Sequence, residues 1–125
     1  MMRRSIDRNS TMDLNHLHLH VADIARARAF YETFLGMKER VWHGEILFLT
    51  NDDGFDLALA PGEPAVLPRW FHFGFRLSSR EAVHELHDRM AKGGAGALDP
   101  CGDEPDMCWF RCADPDGHSI EIYWE

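Results

Sequence analysis

At 125 residues, 45% hydrophobic and 11% aromatic, the chain is long enough for one domain with a real core, too short for two ordinary ones, and too apolar for disorder. Its 13 Lys and Arg against 21 Asp and Glu leave a net charge of −8, so phosphate counterion release offers no gain and no nucleic-acid partner is expected. No apolar run approaches the ~20 residues of a membrane span, and the basic start MMRRSIDRNSTMD lacks the apolar segment of a secretory signal.

Residues 1–12 read as a loosely held tail ahead of a single domain over 13–125. The first element is LNHLHLHVAD, in which His16, His18 and His20 alternate with Leu17, Leu19 and Val21. Side chains alternate across a strand, so this is a strand with one aliphatic face and one face of imidazoles, suited to a wet binding surface. Asp23 then supplies an N-cap, Ile24, Ala27, Phe30, Tyr31 and Phe34 form a helical stripe, and Gly36 ends it. Three short strands are predicted at about Lys38–Trp42, Glu45–Thr50 and Phe55–Ala60, the last two joined by the turn Asn51-Asp52-Asp53-Gly54. The stretch from Pro61 to Pro68 reads as a surface linker.

The pattern then repeats. FHFGFRLSS (Phe71–Ser79) alternates like a strand, with His72, Gly74 and Arg76 opposite the phenylalanines. Ser78 and Glu81 have capping-box spacing, Val83, Leu86 and Met90 give a helical stripe, and Gly93-Gly94 stops it. A loop rich in Gly, Asp and Pro leads to strands at about Met107–Cys112 and Ser119–Trp124, joined by the turn Asp114-Pro115-Asp116-Gly117.

The shift that takes His16 to His72 also takes Leu19 to Phe75, Asp23 to Ser79, Ala27 to Val83 and Phe34 to Met90. Strand faces, caps and stripes stay in phase, which implies a duplicated βαβββ unit. The predicted fold is therefore α+β: two tandem βαβββ modules, about 13–62 and 70–125, forming a curved mixed sheet around a metal-binding cleft.

His16 and His72 occupy corresponding points on the cleft-lining face. In HSIEIYW, Ile120, Ile122 and Trp124 share the apolar face, so Ser119, Glu121 and Tyr123 face the other way. A carboxylate flanked by two isoleucines needs a partner, because burying it alone costs several kcal/mol. One partner is a divalent ion held by His16, His72 and Glu121 with coordination positions left open. The other is a plain salt bridge from Glu121 to Arg76 or Arg111. The ligand types allow Mn, Fe, Co, Ni or Zn.

NHLHLHVADIARARAFYETFLGM, HFGFRL and DPDGHSIEIYW together resemble the vicinal oxygen chelate superfamily, over nearly all of Asp13–Glu125. That superfamily includes glyoxalase I, fosfomycin-resistance thiol transferases, extradiol dioxygenases and bleomycin-resistance binding proteins. The resemblance implies metal ligands at His16, His72 and Glu121, and a homodimer whose sites are shared between subunits. Counting back along the closing motif implies substrate contacts from Arg111 and Trp109. Arg111 suits an anionic substrate or a salt bridge; Trp109 suits stacking or packing. His18, about 7 Å along the strand from His16, is a candidate general base or a solvated histidine. A glyoxalase I pattern calls for a second glutamate on the strand before the linker, and Asp56 is the candidate there.

The odd cysteine count, Cys101, Cys108 and Cys112, argues for a reducing compartment, so the cytoplasm is expected. Cys108 and Cys112, four apart on a strand, are roughly 13 Å apart, too far to share an ion, and read as small packing residues. The functional expectation is a metal-dependent lyase, isomerase, ring-cleaving dioxygenase or thiol transferase. It would act on a small oxygenated molecule, anionic if Arg111 meets it. The alternative is a non-catalytic binder of the bleomycin-resistance kind.

Overall fold

The computed structural model describes residues 12–125; apart from Met12, the expected tail lies outside them. The chain divides between Pro64 and Ala65 into two compact units, each a βαβββ module.

The first module runs β1 (His16–Val21), α1 (Ile24–Phe34), β2 (Lys38–His43), β3 (Ile46–Thr50) and β4 (Asp56–Pro61). Its sheet has the order β1-β4-β3-β2, with β1 and β4 parallel and the remaining pairs antiparallel. The alternation of β1 holds: Leu19 and Val21 are buried while His16, His18 and His20 are exposed. Asp23 caps α1 by accepting from the Arg26 amide at 3.1 Å. Ala27, Phe30 and Tyr31 turn inward, and Gly36 follows the helix at φ 66°, where a Cβ would be strained. In β4, Leu57, Ala58, Leu59 and Ala60 are all buried, so both faces of this strand are covered rather than one.

The second module runs β5 (Phe73–Arg76), α2 (Arg80–Lys92), β6 (Gly102–Glu104), β7 (Met107–Ala113) and β8 (Ser119–Trp124). Its order, β5-β8-β7-β6, repeats the first, again with the outer first strand parallel to the last. Helix α2 packs on β7 and β8, burying Val83, Leu86 and Met90 with Cys108, Phe110, Cys112, Ile120 and Ile122. Each large apolar side chain so buried contributes roughly 1.5–3 kcal/mol. No helix among the described residues is long and apolar enough to cross a membrane.

Three expectations are corrected. The cap of α2 is Ser79, whose hydroxyl accepts from the Ala82 amide, so Ser78 and Glu81 form no capping box. This agrees with the repeat, which aligns Ser79 with the Asp23 cap. Strand β5 is shorter than Phe71–Ser79, and Phe71 and His72 precede it. The loop before β7 contains β6, whose Gly-Asp-Glu sequence has little strand propensity and is held by its pairing with β7.

The β7–β8 turn is built around a buried ion pair that sequence reasoning missed. Asp114 Oδ1 accepts from the amides of Asp116 and His118, both at 2.9 Å, and Asp114 Oδ2 accepts from His118 Nδ1 at 2.7 Å. Gly117 turns the chain at φ 89°. The hydrogen bond to Asp114 raises the His118 pKa against the opposing effect of burial. A raised folded-state value means that the protonated pair stabilises below the unfolded pKa, and that this contribution disappears as pH climbs through the folded one. The stability difference between wild type and His118→Asn is therefore expected to be largest below about pH 6.5 and to shrink at higher pH. Urea unfolding across a pH series checks this, and a difference that widens with pH contradicts it.

Candidate functional site

Strand alternation divides the second sheet cleanly. Ile120 and Ile122 of β8 and Cys108, Phe110 and Cys112 of β7 are buried on the α2 side, so Glu121, Tyr123, Trp109 and Arg111 are left on the opposite face. Register then sets the neighbours: Glu121 lies between Gly74 of β5 and Arg111 of β7. Gly74 puts no side chain beside the carboxylate.

Glu121 has a different partner at each oxygen. Its Oε1 lies 4.0 Å from His72 Nε2, and its Oε2 lies 3.6 Å from Arg111 Nε. Both separations exceed a good hydrogen bond, so the carboxylate is flanked rather than clamped. Arg76 does not compete for it, since its guanidinium donates to the Glu125 carbonyl at 2.7 Å. His72 is oriented through its other nitrogen, which lies 2.8 Å from the Trp70 carbonyl. A carbonyl can only accept, so Nδ1 is the donor in this contact and Nε2 is the ring nitrogen turned toward Glu121.

Arg111 also donates to the Ser119 hydroxyl at 3.3 Å. Arg111 and Ser119 border an open cavity of about 230 Å3, whose wall includes Leu67, Arg69, Phe71 and Asp99. Two guanidinium groups in one small cavity suit a compact anionic ligand. Trp109 stands against Gly102, its register partner on β6.

In the first module His16 is prepared in the same way as His72. Its Nδ1 lies 3.0 Å from Asn15 Oδ1, which leaves Nε2 as the open nitrogen. His18 and His20 stack edge to face at 5.2 Å. Asp56 is the Cα partner of His16 across β1 and β4, and Arg40 grips its carboxylate at 2.8 and 3.2 Å. The register also compares the modules position by position. Leu17 faces Leu57 as Phe73 faces Ile120, so Ala58 holds the place of Glu121, and Asp56 that of Ser119.

One cluster escaped sequence reasoning. Among the described residues, His84 of α2, Asp103 of β6 and Cys108 of β7 bring potential ligand atoms within 4.8 Å of one another. In sequence Cys108 shows only the signature of a small packing residue, and β6 carries no strand signal. The only available clue was parity, which turns Cys108 toward the helix that carries His84.

A duplicated α+β protein with histidine and carboxylate donors on its sheet faces is the class that this geometry defines. The family model of the Glyoxalase/Bleomycin resistance protein/Dioxygenase superfamily matches residues 13–122, and the chain belongs to that superfamily. It is 38% identical over 123 residues to uncharacterized protein PA2024 of Pseudomonas aeruginosa, covering 87% of this chain and 86% of that one. A Bacillus cereus structure described as a possible glyoxalase matches with TM-score 0.78 and 31% identity, over 90% of this chain and 98% of that one. The fosfomycin resistance protein FosX of Listeria monocytogenes shares the fold with TM-score 0.82 at 20% identity, over 93% and 95% of the two chains.

The Trp109 indole rests directly on Gly102: a Cβ there would stand 2.4 Å from Trp109 Cζ2. Gly102→Ala is expected to push the ring away and cost about 1–3 kcal/mol of stability, as overpacking does. Chemical denaturation measures the loss. In a nitrogen–proton correlation spectrum, the Trp109 indole signal should move more than those of Trp42, Trp70 and Trp124. Four unmoved indole signals contradict the packing.

Proposed function

We propose that the protein is a divalent-metal-dependent enzyme acting on a small, oxygenated, anionic substrate, with His72, Glu121 and His16 as the metal ligands. The observation that carries the reading is the preparation of His72. Its Nδ1 is committed to the Trp70 carbonyl while Nε2 and the Glu121 carboxylate converge at 4.0 Å. Two imidazoles, each with Nδ1 facing an oxygen, and one carboxylate form a chemically coherent donor set for Mn, Fe, Co, Ni or Zn. When bound, such an ion supplies Lewis-acid polarisation of substrate oxygens.

The chain's own residues do the rest. Arg111 holds the substrate anion at the cavity mouth, and Trp109 forms an apolar wall farther along β7. Ser119 keeps the Arg111 guanidinium in position through its hydroxyl. His18 and Asp56 are assigned to proton transfer beside His16, and Asp56 takes this role only by leaving Arg40. The reaction falls among lyase or isomerase, ring-cleaving dioxygenase and thiol-transfer chemistry. The protein is proposed to work in the cytoplasm, where free Cys101, Cys108 and Cys112 stay reduced, as a homodimer with His16 drawn from either copy.

A second reading, a non-catalytic small-molecule binder, is favoured by one observation. Arg111 lies 3.6 Å from Glu121 and offsets its charge without any metal ion.

Elemental analysis of protein purified without a metal-affinity tag separates the two readings. The enzyme reading expects nearly one transition-metal ion per chain, falling at least tenfold in His72→Ala and Glu121→Gln. Protein that stays metal-free and cannot be reconstituted supports the binder. For the metal-loaded enzyme, turnover of hemithioacetals, of catechols with and without oxygen, and of epoxides with a thiol identifies the branch. On the active substrate, Arg111→Ala is expected to raise KM about 10- to 100-fold, the scale of a lost charged hydrogen bond, with kcat changed less. An unchanged KM removes Arg111 from substrate binding.

A further inference from the structure

The face of the second sheet turned away from Glu121 carries a separate set of donors. His84 Nε2 lies 2.8 Å from Asp103 Oδ2 and 3.6 Å from Cys108 Sγ. The three ligand atoms fall within 4.8 Å of one another and come from three different elements, α2, β6 and β7. Cys108 is the register partner of Asp103 and is fully buried, whereas His84 and Asp103 are exposed at the edge of the cluster.

A catalytic triad does not account for this arrangement. In a relay the acid takes one ring nitrogen and the thiol the other, but here both approach Nε2. The thiol is also inaccessible, and burial, with Asp103 beside it, pushes its pKa up to about 11. A buried thiol facing a carboxylate is a poor nucleophile.

We propose that His84, Asp103 and Cys108 form a second metal site, for a zinc-like transition ion, which fastens helix α2 to the β6–β7 hairpin. A sulfur, an imidazole nitrogen and a single carboxylate oxygen select a borderline ion over calcium or magnesium, which prefer all-oxygen shells. Tetrahedral zinc with these ligand lengths separates its donors by about 3.3–3.8 Å, a range that brackets the His84–Cys108 distance. Side-chain rotation of exposed His84 and Asp103 is sufficient to open the shorter contact.

The positive charge of Arg80 does not block the site, because it bonds the other oxygen of Asp103. Arg80 Nη1 meets Asp103 Oδ1, leaving Oδ2 on the His84 side. The guanidinium is held independently by the carbonyls of Glu104 at 2.8 Å and Pro105 at 3.0 Å, and lies over the Trp124 ring. It thus acts as an outer partner that fixes the carboxylate, as such groups commonly do around bound ions. On binding, the Cys108 S–H bond is replaced by an S–metal bond and the proton leaves to solvent. The His84 proton moves from Nε2 to Nδ1. Water takes the fourth position.

The test is an anaerobic cobalt(II) titration of the full-length reduced protein, read by absorption. The proposed His16, His72 and Glu121 centre contains no sulfur, so a thiolate-to-cobalt charge-transfer band reports the new site alone. The band is expected to saturate at one equivalent in His72→Ala and within two in wild type, where the other proposed centre also takes cobalt, to vanish in Cys108→Ala, and to weaken at least tenfold in affinity in His84→Ala. The exposed position of His84 leaves the fold intact should Cys108→Ala fail to fold. The band should persist in His72→Ala and in Cys101→Ser. No thiolate band in excess cobalt, a band unchanged by Cys108→Ala or His84→Ala, or one that requires Cys101, overturns the proposal.

Discussion

The register between β7 and β8 is the constraint on which the second module depends. Arg111 opposite Glu121 and Phe110 opposite Ile122 are consequences of one alignment. A slip of β8 by one residue would carry Glu121 under α2 and put Ile120 and Ile122 in water. The loss would combine two buried isoleucines with an unpaired buried carboxylate, together comparable to the whole margin of a small domain. The Asp114 turn enforces the alignment locally. Its carboxylate collects two amides and the His118 ring before β8 begins. Hydrophobic burial on one face therefore determines which polar groups meet on the other.

Most of the architecture was legible in the sequence because two periodicities repeated in phase. The alternation of β1 and β8, the stripes of α1 and α2, and the glycines after each helix all carry local physical signals. What escaped lacked such signals. Strand β6 is a Gly-Asp-Glu segment made extended by its neighbour. The α2 cap differs by one residue because Ser78 and Ser79 are chemically equal as caps, and the signal that separates them is the repeat, which aligns Ser79 with Asp23. Parity gave the face of Glu121 and Arg111, but the division of the carboxylate between His72 and Arg111 depends on side-chain distances that no pattern encodes. The same holds for Arg40, which claims Asp56 from a neighbouring region of the sheet.

The two modules are related by topology but have diverged in chemistry. Both keep a histidine at matched places, His16 opening β1 and His72 just before β5, each with Nδ1 facing a nearby oxygen. Only the second keeps a carboxylate at the matched place on its last strand; the first has buried Ala58 there. The duplicated scaffold thus carries an acidic arm at this place in the second module alone. Asp56, displaced by one strand period, is engaged elsewhere. The cysteine cluster adds a second asymmetry, on the helix side of the second module alone.

The central claim is that His72 and Glu121 share a cation. Its most direct measurement is an anomalous difference map from crystals soaked in manganese, collected on both sides of the metal absorption edge. The account predicts a peak bonded to His72 Nε2 and to the Glu121 carboxylate, with the imidazole still anchored to the Trp70 carbonyl. A fully loaded crystal with no density between these two side chains, and Glu121 still facing Arg111, would contradict it.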